Sequence, residues 1–353
     1  MQAVTPQKIA ALNSLIDKAD VISIVTHIHP DGDALGSGLA LKHYLEQLRG
    51  KKVLFWHEDN YSRTLGFLFT EAEKELTESF RSDERRFRKA LQGADLLLCV
   101  DCNGMGRTGD MQRLFAGTRM PKVLIDHHLN PDAGSFDLCF SETEISSASE
   151  LCLQILKAMP GIDGQTAKLP ARCLMAIMAG ITTDTNNFAN SVFPTTLQAV
   201  SELLAAGVNR DEMLEHIYNE YPEGRIRLIG HLLDNGLTIT PQGVSYMIIT
   251  KKLLRKFQLE EGDTQGIVNL PLAIKNVKMS ALLREESGQF RVSLRSKKGF
   301  SANRFAMEYF HGGGHENAAG GKLLIPKDII FKRRAGAYIE KCAKAFFEKE
   351  TDL

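Results

Sequence analysis

A two-domain α/β protein is predicted: an N-terminal doubly wound parallel sheet, a helical connection, and a smaller C-terminal α/β domain. Three observations predict it. Through residue 192, short apolar runs alternate with stretches of helical period, the order of units that builds a parallel sheet. Between 193 and 235 the period is helical and strand-like runs are missing. From 236 to 353 the strand candidates are shorter, and a chain of 353 residues is long enough for two cores. The expected domains are therefore 1–192, 193–235 as a helical linker, and 236–353.

The elements follow in order. Residues 5–19 read as an amphipathic helix with Ile9, Leu12, Leu15 and Ile16 on one side. The apolar run 21–25 reads as a buried strand, 39–48 as a helix, and 52–56 as the next strand. Residues 71–92 are dense in charge and read as solvated helix. Strands are expected at 94–100 and 122–125, and helices at 147–159 and 171–181. The connection carries helical runs at 197–206, 211–218 and 225–233. Beyond it, strands are expected at 237–240, 245–250, 278–284 and 289–296, with a closing helix at 334–348.

Chemistry gathers where the strands end. After the first strand comes THIHPDGDALGS, whose Pro30 and Gly32 signal a turn. His27, Asp31 and Asp33 put one imidazole and two carboxylates on it, a mixture that suits Mn²⁺ better than a thiolate-seeking structural zinc. The plain alternative is a surface turn whose aspartates cap the following helix. The strand at 94–100 ends in Asp101, and that at 122–125 in Asp126, His127 and His128. Ligands of a parallel sheet sit outside the carboxyl ends of its strands, so these residues converge on one edge. Asp184 follows a helix, and its place in the cluster is an inference. Two divalent cations sharing a carboxylate could activate water and offset charge on a phosphorus centre, with no protein nucleophile.

A second concentration lies at 291–321. Arg295, Lys297 and Lys298 end a strand, Asn303 and Arg304 follow, and then comes HGGGHENAAGG. Amides of Gly312, Gly313 and Gly314 could form an anion nest beside His315, and Arg suits bidentate phosphate contacts. The plain alternative is a flexible turn before an Ala-Gly packing site.

Composition narrows the partners. Lys and Arg number 43 and so do Asp and Glu, so any anionic ligand must meet a local basic patch. Six cysteines without framework spacing suit a reducing compartment, and no apolar run approaches about twenty residues. With no secretory signal pattern, a soluble cytoplasmic protein without membrane association is expected. Cys99 and Cys102 form a C-x-x-C, but at a strand end rather than opening a helix, where a redox thiol would be activated.

Taken together, THIHPDGDALGS, VDCN, IDHH, GITTDT and GGGHENAAGG resemble the DHH/DHHA1 phosphoesterase family, within it the stand-alone nanoRNase and phosphoadenosine-phosphate phosphatase branch. The resemblance implies two divalent metal ions, Mn²⁺ expected, with Mg²⁺ or Co²⁺ as alternatives. It implies that His27 and Asp31 hold one, that Asp33, His127 and Asp184 hold the other, and that Asp101 bridges them. Asp126 would orient His127, and His128 would face the substrate phosphate. Arg295 and His315, with Asn303 and the glycines, would bind the far end of a short single-stranded oligonucleotide or small nucleotide. A cleft between the two domains would then favour short substrates, and a homodimer is compatible with this scheme. After Thr185 the chain has Asn186 and Asn187, where the family often has glycine. Competing readings are a pyrophosphatase or exopolyphosphatase, a pApA or cyclic-dinucleotide phosphodiesterase, and a non-catalytic nucleotide-binding module.

Overall fold

The structure, a computed structural model, describes residues 3–71, 73, 83–115, 117–260 and 262–351. Part of the charged stretch 71–92 thus lies outside the described residues; its end, Glu84–Gln92, is a helix capped by Asp83. The chain divides into two compact units, Met1–Glu220 and Tyr221–Leu353, and the division falls inside the helical stretch 193–235. Helices Pro194–Ala205 and Arg210–Leu214 belong to the first unit, and Glu223–His231 to the second.

The first unit is built on five parallel strands: β1 Val21–Val25, β2 Lys52–Trp56, β3 Leu96–Val100, β4 Lys122–Asp126 and β5 Leu138–Ser141. Their order is β2-β1-β3-β4-β5, every neighbouring pair parallel. The chain winds one way from β1 to β2 and the other way from β3 onward, so the loops after β1 and β3 part and leave a crevice between them. Both faces are covered, which is why the strands read as near-continuous apolar runs. Ile22, Ile24, Leu98 and Ile125 pack with Leu35, Leu39 and Ile177 on one side. Val25, Leu97, Cys99 and Leu124 pack with Trp56, Phe87 and Phe115 on the other. Strand β5 was not expected: four residues, LCFS, are too short for a period to show.

The helix after β1 starts earlier than its period suggests, at Gly32 instead of residue 39, and runs to Arg49. Its glycines read as a turn, but they serve packing. A Cβ on Gly36 would lie 2.5 Å from Ala176 O, so only glycine lets this helix approach Ala171–Asp184 so closely. The neighbouring His43 is buried and its Nε2 has no hydrogen-bond partner. Burial pushes its pKa down to about 4; nearby Glu73 opposes that shift, while Lys42 and Arg172 add to it. The unfolded chain therefore protonates first on acidification, and stability falls as pH drops from about 6.5 towards 4. Between pH 7 and pH 5 the wild type should lose about 2 kcal/mol more than His43→Leu. Urea melts at both pH values check this, and equal losses would refute it.

The second unit carries a mixed sheet of six strands: β6 Thr238–Ile239, β7 Val244–Ile249, β8 Met279–Glu285, β9 Gln289–Ser296, β10 Gly313–Gly314 and β11 Ala318–Leu324. Their order is β10-β11-β9-β8-β7-β6, with only β7 and β8 parallel. Helices Ala302–Tyr309 and Ala335–Thr351 cover one face through Phe305, Phe310, Ile339 and Phe346. Strands β10 and β11 were not expected, because GGG and AAGG lack the side chains that mark a strand. Among the described residues, no helix is long and apolar enough to cross a membrane.

Candidate metal centre

The loop after β1 delivers His27 and Asp31, and the helix it opens delivers Asp33. Asp31 is the N-cap of that helix, its Oδ1 accepting the amides of Asp33 and Ala34 at 3.1 Å. The plain reading of this aspartate as a cap is therefore correct, and it coexists with a place in the cluster: the same Oδ1 lies 3.9 Å from His27 Nε2. Asp33 caps a different helix, Ala148–Lys157, through Ala148 N at 2.7 Å and Ser149 N at 2.8 Å. His27 Nδ1 donates to Ile28 O at 2.7 Å, which turns the lone pair of Nε2 toward the carboxylates.

The ends of β3 and β4 complete the centre. Asp101, at φ +55°, sits just past β3 with its amide bound to Ile125 O. Its Oδ2 is 3.3 Å from His27 Nε2, and its Oδ1 is 3.4 Å from His127 Nε2. His127 Nε2 is in turn 3.6 Å from Asp33 Oδ2 and 3.6 Å from Asp184 Oδ2. Asp184 ends the helix Ala171–Asp184 and does reach the cluster. Among the groups of donor atoms that lie within 4.8 Å of one another are His27 with Asp31 and Asp101, and Asp33 with Asp101 and His127. Asp101 belongs to both. Asp31 and Asp184 side chains are 42% and 24% exposed whereas Asp33 is 1%, so the open side lies along Asp31 and Asp184.

One expected role is corrected. Asp126 was assigned to orient His127, but its carboxylate holds His128 instead. Oδ1 is 2.8 Å from His128 Nδ1 and accepts the Asn103 amide, while Oδ2 accepts the His128 amide. The reason is geometric: β4 ends at Asp126, and the chain turns so that the residue two further on folds back over it. His128 Nε2 meets Arg107 Nη1 at 2.6 Å. Arg107 was missed because it stands in an aperiodic glycine-flanked loop, seven residues beyond the end of β3. Also missed were His57, Glu58 and Asp59 after β2, which the strand-end rule itself should have flagged. Asp59 is 2.9 Å from His29 Nδ1.

The electrostatics are those of a buried anionic cluster seeking cations. Burial raises the Asp33 carboxyl well above its usual range, and the Asp101 charge adds to this. His127 is pushed up to about 10: burial opposes this, but a hydrogen bond to Asp101 and the charges of Asp184, Asp101 and Asp33 outweigh it. Asp101 Oδ1 is buried, 3.4 Å from His127 Nε2 and 3.5 Å from His128 Nδ1. An oxygen-rich set with two imidazoles and no thiolate fits a hard or borderline divalent cation. The redox reading of Cys99 and Cys102 finds no support: both are fully buried, and burial raises the Cys102 thiol well above its usual range.

In the second unit, Arg295, the last but one residue of β9, lies directly opposite Ala318, beside the turn that carries His315. Asn303 Oδ1 accepts the Gly314 amide at 2.9 Å, and the Gly312 amide donates to Ala306 O. These two amides are thus engaged within the fold rather than offered to an anion. A Cβ on Gly312 would lie 1.9 Å from Gly320 O, and Gly314 is at φ +151°, so the glycines are required by the close β10–β11 pairing. Arg295, Asn303 and His315 do share one end of this sheet.

A His–Asp cluster on the carboxyl edge of a β2-β1-β3-β4-β5 sheet, followed by a separate mixed-sheet unit, defines a class of two-unit α/β proteins with a metal-type centre. Residues 21–181 match the DHH family, N-terminal domain, and residues 244–329 match the DHHA1 domain; the chain belongs to the DHH family. It is 30% identical over 328 residues to the bifunctional oligoribonuclease and PAP phosphatase NrnA of Thermus thermophilus, covering 92% of this chain and 91% of that one. It is 28% identical over 310 residues to the Bacillus subtilis protein of the same description, covering 86% and 90%. Among solved structures, an exopolyphosphatase-related protein from Bacteroides fragilis superposes with a TM-score of 0.87 at 31% identity over 98% of each chain. The two curated relatives are phosphoric ester hydrolases by name.

Proposed function

We propose that the protein is a divalent-metal-dependent phosphoesterase that hydrolyses short oligoribonucleotides and 3′-phosphoadenosine 5′-phosphate. The observation that carries this reading is Asp101, whose carboxylate belongs to both donor groups. His27 and Asp31 would hold one cation, Asp33, His127 and Asp184 the other, with Asp101 shared and Mn²⁺ expected. When bound, such a pair supplies Lewis acidity that activates water and offsets charge on the phosphoryl oxygens. The protein's part is placement. Ile28 O and the helix amides at Ala34 and Ser149 fix the rotamers of His27, Asp31 and Asp33 before any cation arrives. Asp126 fixes His128 at the edge where the phosphate reacts. Incubation with Mn²⁺ and a panel of 3′-phosphoadenosine 5′-phosphate, pApA, pyrophosphate, polyphosphate and labelled oligoribonucleotides tests it. Turnover of the first substrate and of short oligomers is expected; turnover of pyrophosphate or polyphosphate alone would refute it.

Within this reading, Arg295, Asn303 and His315 hold the part of the substrate that does not react, while Gly312, Gly313 and Gly314 serve the strand pairing that places them. Arg295→Ala should raise KM for a dinucleotide about ten- to a hundredfold, as expected for a lost charged hydrogen bond to phosphate. Hydrolysis of bis-p-nitrophenyl phosphate, which has no far end, should be nearly unaffected. Equal damage on both substrates would show that Arg295 shapes the catalytic centre itself.

A further inference from the structure

Arg107 lies in the short 3₁₀ segment Met105–Met111 that follows β3. Three strand-end loops fix this segment. Arg107 O accepts the Ile28 amide at 2.9 Å from the loop after β1. The Asp110 amide donates to Glu58 Oε2 at 2.5 Å, from the loop after β2. The guanidinium itself reaches His128 past β4 at 2.6 Å. A loop side chain so well anchored is placed rather than adventitious.

The hydrogen bonds around His128 assign its protons. Arginine only donates, so His128 Nε2 accepts from Arg107 and Nδ1–H donates to Asp126 Oδ1. In this arrangement His128 has no N–H to offer a phosphate. Arg107 does, because its planar fork carries further donors and it is partly exposed. Charge points the same way. Asp31, Asp33, Asp101 and Asp184 balance two divalent cations, so an incoming phosphate brings negative charge that the centre has not yet matched. Arg107 supplies a permanent cation beside the centre, and guanidinium geometry matches two phosphoryl oxygens.

We propose that Arg107 is a phosphate-binding residue of this site, parked on His128 Nε2 in the free protein and turning onto the reacting phosphate when substrate enters. Asp126 holds the imidazole in place while the arginine moves. The proposal rests on the phosphoesterase reading above. The test uses Mn²⁺-loaded wild type, Arg107→Gln and Arg107→Lys. Calorimetry measures adenosine 5′-monophosphate binding, alongside metal stoichiometry, melting temperature, and kcat and KM on 3′-phosphoadenosine 5′-phosphate. Arg107→Gln should weaken the nucleotide about ten- to a hundredfold with both metals retained and the melting temperature unchanged. Arg107→Lys should fall between, because a point charge cannot grip two oxygens. Wild-type nucleotide affinity in Arg107→Gln overturns the proposal. So does a loss of metal or melting temperature in both variants that accounts for the lost binding, since that is what a merely structural arginine would produce. A wild type that neither binds the nucleotide nor cleaves any ester overturns the phosphoesterase reading itself, before the variants are compared.

Discussion

Asp101→Asn should lower turnover by about a thousandfold or more, at or beyond the upper end of what removing one preorganised electrostatic group costs. The side chain keeps its shape, so the loss is one of charge. Asp101 faces His27 with one oxygen and His127 with the other, and both donor groups contain it. An amide places a neutral oxygen toward one group and an NH₂ toward the other, which repels a cation there. Metal analysis and turnover on one preparation decide the matter. Two ions retained at wild-type affinity with normal activity would exclude the shared-ligand assignment.

Asp33→Ala should show a second kind of damage that Asp31→Ala does not. Both aspartates are helix caps, yet they differ in burial and number of bonds. Asp33 is buried and accepts two amides of the helix Ala148–Lys157. Its removal leaves both N–H groups dry, at about 1.5–3 kcal/mol for each charged hydrogen bond, while relief of the carboxylate's burial and of repulsion from Asp101 returns part of that; a net loss of about 3 kcal/mol is expected in metal-free protein. For a unit of this size that is roughly 6–12 °C in melting temperature. Asp31 is a partly exposed N-cap, for which about 1 kcal/mol is usual. Each substitution should also weaken metal binding. Thermal melts in chelator separate the two effects, and equal melting temperatures for the two variants would contradict this account.

Local pattern sufficed wherever one residue's neighbours along the chain decide its state. Strands β1 to β4 were legible because each is buried along most of its length and so is largely apolar. The strand-end rule then placed His27, Asp101, His127 and His128 on one edge. Strands β5, β10 and β11 were not legible, since a four-residue strand shows no period and glycine-rich strands carry no pattern. The start of the Gly32–Arg49 helix was misplaced for a related reason. Glycine reads locally as a breaker, and its role against Ala176 exists only once a second helix lies there.

What the sequence by itself determined is the composition of the centre: which carboxylates and imidazoles leave the strand ends, and that cysteine has no part in it. Only the tertiary structure decided how they pair. Asp126 serves His128 and not its neighbour, because a turn of the chain after β4, invisible to spacing, brings the later imidazole back over the carboxylate. Asp184 joins from the end of a helix through the close approach that Gly36 permits, so its place depends on a packing distance rather than a strand end. Arg107 enters from a loop with no period, fixed by backbone hydrogen bonds with residues about 50 and 80 positions earlier. Hydrogen-bond partners are set by distances in space, and spacing along the chain constrains those only inside a regular element.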